Sequence, residues 1–471
     1  MSLFLTDHIF GDLAPICCRL LTSACHVVLL LTSLASAQIQ MNIVDDWTLE
    51  VGPGCQVYGK TKVEMTEPQS IHVEKEQKIS VKGEVHIPET GCPWITPKGL
   101  IAYKKRSVEG CLIRDSLRIS QTVDGTRIFR EDKDYRVKRG TIQFIEGASV
   151  AVGFPMEISY EYRLNRLDGI FWTRQGQVKV SKGTPGLASL PCSVSEPGNV
   201  YLGGIWIPGE TNELKKTNIF QVETRQRKDT HVSETVAERL LPKTTQRLRA
   251  GRHLSVVVLG DLATEAVTPS ESDFYAQRFA SELEHCFGIT VDVNIEATKM
   301  PSPWNLLYTD KHILLEILNA KPDLAIIAFD CGLPLPGSLE RQEQSPYHKV
   351  IKRLRENGTD VILLTKNPSH PCLFGTSRDQ ASLKFDHDTS METQSVKWYG
   401  TKYRLALADV SDEWCTLWRM GIPYVIFLVD GKCEPDTRGH LIYCNTLLHV
   451  LDCGSRPYNP CAICEPHGDN N

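Results

Sequence analysis

Leu254-Ser255-Val256-Val257-Val258-Leu259, followed by Gly260-Asp261-Leu262, is the stretch that decides the fold. Its first six residues form an apolar run broken only by Ser255. Strands covered by helices on both faces read this way, whereas half-exposed strands alternate. Outward from this run the rhythm repeats. Asp273 to His285 has helical spacing, and Ile289 to Ile295 reads as a second strand. Lys311 to Ala320 is a helix, and Asp323 to Phe329 a third buried strand. Pro346 to Asn357 is a helix closed by Gly358, and Asp360 to Thr365 a fourth strand. Leu405 to Met420 is expected as helix, Tyr424 to Val429 as a fifth strand, and Arg438 to Leu451 as the last helix. Strands alternating with helices predict an α/β domain over residues 253–453, a doubly wound parallel sheet.

Upstream, residues 42–225 read differently. Lys78 to Val85, Thr141 to Ile145 and Ile158 to Tyr162 alternate polar and apolar residues between Gly, Pro and Asp turns. That pattern predicts a β-rich, sandwich-like region. Residues 226–252 form a charged linker packed on the next domain, with Val232 to Leu241 able to form a short helix. Its basic residues are expected to be a solvated face rather than a docking surface.

Residues 1–37 read as a signal peptide. Val27 to Leu31 is an apolar core, Arg19 a positive flank, and Ala35-Ser36-Ala37 a small-x-small cleavage site. The run is shorter than the ~20 residues that span a bilayer, so no stable membrane span is expected. The implied location is secreted, periplasmic or at the cell surface. Three of the 16 cysteines lie in this leader, which leaves an odd number. One thiol is therefore unpaired within a monomer, or joins an intermolecular disulfide. Residues 454–471 form a Cys-rich tail. Cys461-x-x-Cys464, with Cys453 and His467, lacks the second close pair of a structural zinc site, so no metal and no cofactor are expected. The chain of 471 residues carries a net charge of −5 and 41% hydrophobic residues. This excludes disorder and coiled coil for the bulk, and a general nucleic-acid binder.

Ligands of a parallel α/β sheet bind outside the carboxyl ends of its strands. The loops there carry Asp261, Thr264, Asp330, Asp430, Glu434 and His440, the candidate pocket. If the loops converge, several carboxylates meet. They would raise one another's pKa or attract a hard cation, unless they are simply solvated.

These segments resemble an SGNH (GDSL-type) hydrolase domain. Gly260-Asp261-Leu262 is similar to the family's Gly-Asp-Ser. Pro322-Asp323 leads through a strand into Asp330, where the family has Gly-x-Asn-Asp. Leu407-Ala408-Asp409-Val410 resembles its later Asp-Val helix. Asp430 and the segment Glu434 to His440 resemble its final Asp-x-x-His block. The resemblance implies a flavodoxin-like sheet and ester hydrolysis by a Ser-His-Asp triad. The β-rich half resembles, more weakly, domains that precede SGNH domains in exported bacterial proteins.

The signature letters differ, however. Leu262 stands at the nucleophile position and Glu434 at the histidine position. Asp330 stands at the asparagine position, and no glycine lies between Glu296 and Pro303. Serine attack, proton transfer and oxyanion stabilisation each lose their group. The degenerate positions are thus Leu262, Asp330, Asp430 and Glu434, with no catalytic set intact. His440 is expected to be structural, opening the last helix. The reading is a catalytically inactive, glycan- or acylated-polysaccharide-binding or scaffolding protein. The alternatives are an ester hydrolase or carbohydrate deacetylase with a displaced site, and a structural surface protein.

Overall fold

The computed structural model describes residues 38–58, 61–90, 92, 94–103, 106–123, 126–192, 197–223, 236–260, 274–296, 302–329, 343–374, 383–385 and 390–453. The expected leader, the first part of the linker, the tail, and Asp261, Leu262, Thr264 and Asp330 lie outside the described residues.

The β-rich half has two cores. Strands Met41–Asp45, Thr48–Val51 and Gln69–His72 form one antiparallel sheet. Val178–Ser181, Arg166–Trp172, Val200–Ile207 and Ile219–Gln221 form another, in that order. Their apolar faces share Leu49, Val51, Ile170 and Ile205. Between His72 and Arg166 a second unit is inserted, a four-stranded antiparallel sheet ordered Thr126–Phe129, Leu112–Thr122, Met156–Tyr162 and Ile79–His86. Alternate residues of its strands, among them Leu117, Ile119, Ile158 and Tyr160, build a separate core. At the join, Arg166 is fully buried. Its Nε donates to Asp168 Oδ1 at 2.7 Å and its Nη2 to Asp168 Oδ2 at 2.9 Å, while Glu76 takes Nη1. A charge this deep is tolerated because every face of the guanidinium finds an acceptor.

The α/β domain holds five parallel strands, numbered here within this domain: β1 (Leu254–Leu259), β2 (Val291–Glu296), β3 (Leu324–Ile327), β4 (Asp360–Leu364) and β5 (Ala406–Ala408). Their order is β2-β1-β3-β4-β5. This is the doubly wound, flavodoxin-like arrangement, with the switch point between β1 and β3. Helices α1 (Val236–Leu240), α2 (Pro242–Arg249), α3 (Tyr275–Phe287), α4 (Lys311–Ala320), α5 (Pro346–Glu356), α6 (Met391–Tyr403), α7 (Val410–Thr416) and α8 (Thr437–Val450) accompany it. Strand side chains alternate between two cores. Val256, Val258, Ile326 and Ile362 pack with α3 and α8, and Val257, Leu259, Ile327 and Leu363 with α4, α5 and α6. Both faces are therefore covered, as the apolar runs require. Leu167, Leu190 and Cys192 of the β-rich half join the first core.

Two elements differ from the expectation. Tyr424–Phe427 is a 3₁₀ turn, not a strand. The fifth strand is Ala406–Ala408, inside the segment expected as helix; helix resumes only at Val410. A short, fully buried apolar run after Pro423 has no period that separates strand from turn. Gly260, which ends β1, has a φ of +137°, and an added Cβ would stand 2.3 Å from the Ala328 backbone. The motif's glycine is thus a steric requirement of the strand end.

The described part of the linker, α1 and α2, lies against the sheet's N-terminal edge. Lys243 Nζ and Arg247 Nε approach Asp323 Oδ1 at 3.0 and 2.8 Å, and the Thr244 N–H donates to Asp360 Oδ2 at 2.7 Å. Two of the linker's basic residues are thus consumed in holding α2 to the starts of β3 and β4.

Candidate functional site

The loop Leu428–Pro435 closes on itself: the Val429 N–H donates to Glu434 O, and Leu428 bridges to Pro435. Asp430 is its hub, with 1% of its side chain exposed. Its Oδ1 accepts the backbone N–H groups of Lys432, Cys433 and Glu434 at 2.9, 2.9 and 3.1 Å. Its Oδ2 accepts from Arg106 Nη1 at 3.3 Å. The same Arg106 nitrogen reaches Glu434 Oε1 at 2.8 Å. Burial pushes the Asp430 carboxyl up, but the three N–H groups and Arg106 outweigh it and hold it below the usual carboxylate range. Arg106 is held above its ordinary value, chiefly by its bond to Glu434.

Arg106 comes from the inserted β unit, in the short strand Arg106–Ser107. The next residue locks the same join. Lys432 Nζ donates to Ser107 Oγ at 3.2 Å and to Arg139 O at 2.8 Å. A serine beside a lysine is one known nucleophile pair. Here Ser107 is 1% exposed and donates its own hydroxyl proton to Arg139 O at 2.7 Å. The pair is a structural tie. Cys433 is no better as a nucleophile. Burial, then the carboxylates of Asp430 and Glu434, push its thiol up to about 12, so the thiolate is absent at neutral pH.

A second tie lies at the start of α8. Asp436 Oδ1 caps the helix by accepting from the N–H groups of Arg438 and Gly439, both at 2.9 Å. Its Oδ2 accepts from Ser189 Oγ at 2.8 Å, and Arg438 Nη1 donates to Leu190 O at 2.8 Å. On the other side, Asn367, at the end of β4, donates from Nδ2 to Cys433 O at 3.1 Å and accepts from Tyr443 Oη at 2.7 Å. His370 lies beside it. Its Nδ1 accepts from the Cys372 N–H at 3.1 Å, and its backbone N–H donates to Lys432 O at 2.6 Å. Burial first, then the Lys432 charge, lower His370 to about 4, so this imidazole is neutral.

Of the residues expected in the pocket, Asp430 and Glu434 come together, but with a guanidinium between them. The two carboxylates share one cation, from a residue the sequence had not singled out. Among the described residues no group of three or more His, Cys, Asp and Glu could hold a metal ion. His440 is elsewhere. It is 3% exposed and its ring packs on Phe274, Tyr275 and Tyr443, with centroids 5.1, 6.0 and 6.2 Å away. It sits in the core between α3 and α8. Asp261, Leu262, Thr264 and Asp330 lie outside the described residues. Arg106, Ser107, Lys432 and His370 are the residues that sequence reasoning missed. Nothing local marks Arg106, because its partners lie 324 and 328 positions away.

By strand order, the second half of the chain is a doubly wound, flavodoxin-like α/β domain. No family model and no curated protein matches the chain. Among solved structures, it is similar to a two-domain esterase (CEX) active on acetylated mannans, at 15% identity and a TM-score of 0.34. That match covers 46% of this chain, which spans 54% of the esterase's length. It is also similar to TesA, at 15% identity and a TM-score of 0.29, over 42% of this chain and 97% of that one. Protein YXIM from Bacillus subtilis matches at 13% identity and a TM-score of 0.31, over 78% of this chain and 98% of that one. Among the described residues no helix is long and apolar enough to cross a membrane.

Proposed function

We propose that this chain is an exported binding or scaffolding protein on an ester-hydrolase-like frame, without esterase chemistry of its own. One observation carries the reading: Glu434, at the position of the family's histidine, is ion-paired with Arg106 at 2.8 Å. An SGNH-type reaction needs an imidazole that takes the nucleophile's proton near neutral pH and returns it to the leaving group. A carboxylate is intrinsically a far weaker base than an imidazole. Asp430, which would orient that imidazole, spends its lone pairs on three backbone N–H groups and Arg106. Leu262 supplies no hydroxyl at the nucleophile position. The ligand class, a glycan or acylated polysaccharide, rests on the motif resemblance alone, and export on the leader pattern of residues 1–37.

The test is treatment of the secreted protein with a fluorophosphonate probe, beside hydrolysis of p-nitrophenyl acetate and acetylated xylan, with Leu262→Ala as control. The expected result is no labelling and no turnover above the variant. Labelling together with turnover that is lost on mutating Thr264, Asp330 or His440 would overturn the reading in favour of a displaced active site.

A further inference from the structure

At the sheet edge opposite the Asp430 loop, a cleft of about 980 Å³ opens between α2, the start of β4 and the ends of α5 and α6. Its size suits a small organic ligand. Arg239, Lys243, Arg355 and Arg404 line it, with Asp360 the acidic residue among them. Lys243 is engaged by Asp323, and Asp360 accepts the Thr244 N–H. Arg239, Arg355 and Arg404 are exposed, and among the described residues none has a carboxylate within ion-pair distance.

Arginines often gather at helix C-termini to offset the dipole. Here the helix ends are closed by backbone. After α5 the Gly358 N–H donates to Arg355 O and the Thr359 N–H to Leu354 O, at 2.9 and 3.0 Å. After α6 the Leu405 N–H donates to Gly400 O at 3.0 Å. Arg355 Nη1 makes one long bond of 3.4 Å to Tyr403 O. Backbone N–H groups thus close both helix ends, and Arg355 adds only that long bond to the last carbonyl of α6. Arg404 also stands where glycine is the default, at a left-handed φ of +52°. Leu240, Val361 and Leu407 supply an apolar wall.

We propose that this cleft binds a small phosphorylated ligand, its phosphate oxygens held by Arg239, Arg355 and Arg404 and its uncharged body against Leu240 and Leu407. Guanidinium forks match phosphate oxygens in pairs, and three of them favour a ligand with two or more charges. The site stands apart from the Asp430 loop and does not depend on whether that loop is catalytic.

The test is calorimetric titration of the full chain with inorganic pyrophosphate and, separately, adenosine diphosphate, at low ionic strength. Saturable binding is expected, weakened roughly tenfold in Arg239→Ala and in Arg404→Gly, as for loss of one charge-assisted contact. Arg404→Gly should at the same time raise Tm, because glycine relieves the left-handed backbone. Weaker binding in a more stable variant cannot come from misfolding. Tighter binding of the nucleotide than of pyrophosphate would support the apolar wall. No heat from either anion at millimolar concentration, or affinity unchanged in both variants, would overturn the proposal.

Discussion

Arg106 and Glu434 stand 328 positions apart in the chain, yet their Nη1 and Oε1 atoms are 2.8 Å apart across the join between the inserted β unit and the α/β domain. The same nitrogen serves Asp430, which is almost wholly buried. Removing it leaves one buried carboxylate with backbone donors and the weak Cys433 thiol donor. Arg106→Ala should lower stability by about 1–3 kcal/mol in urea unfolding. The lower end is favoured because Arg106 is 40% exposed and partly screened by solvent. Arg106→Lys should keep part of the effect. A midpoint unchanged in the alanine variant would show that the pair contributes nothing to the join.

On the proposed reading, Leu262→Ser supplies a hydroxyl where the family has its nucleophile but not the base that must activate it. With Glu434 tied to Arg106, the single substitution should give no p-nitrophenyl acetate hydrolysis above the parent. Appreciable turnover would mean that another group accepts the proton and that Glu434 does not occupy the histidine's place.

Arg166 has its two closest carboxylates, Asp168 and Glu76, in a buried setting. Arg166→Met keeps most of the volume and strands both charges. A loss of about 3–5 kcal/mol is expected, as for breaking one side of a buried ion pair. Asp168→Asn in the methionine background should recover part of it. If the single variant unfolds at the parent's urea concentration, the network is not holding the two β units together.

His370 makes stability depend on pH. Its folded value of about 4 lies below the ~6.5 of an unfolded histidine, so the unfolded chain binds the extra proton. Its contribution is full above about pH 6.5 and is lost as pH falls from there through about 4. The whole effect is on the order of 2–3 kcal/mol. Protonation would also break the bond in which Nδ1 accepts from the Cys372 N–H. Unfolding curves at pH 7.5 and 5 should differ less in His370→Asn than in the parent; equal differences would assign the acid sensitivity to other groups.

Strands β1, β3 and β4 were legible because each is an apolar run bounded by polar turns and buried on both faces. The doubly wound order followed from their alternation with helices. Strand β5 was not legible: the three residues Ala406–Ala408 carry no period, while Tyr424 to Val429 is apolar for burial's sake and turns instead. The helix end expected at Gly358 is there, with Gly358 at φ +80° and Asn357 Nδ2 donating to Leu318 O at 2.6 Å. The letters that differ from the SGNH motifs were visible as letters. The meaning of Glu434 was not, because its partner belongs to another unit of the chain and pairing across some 300 residues leaves no local mark. The place of His440 at a helix start was legible, but its packing against Phe274, Tyr275 and Tyr443 was not.

The inserted β unit leaves the ribosome well before the loop it holds. Chains are made from the N-terminus and their units fold in that order. Arg106, Ser107 and Arg139 can thus be set in a finished β-sheet before Asp430, Lys432 and Glu434 are synthesised. Contacts so distant in sequence form late and slowly. A chain interrupted before residue 430 would present Arg106 and Ser107 without the Asp430, Lys432 and Glu434 side chains that meet them in the full chain.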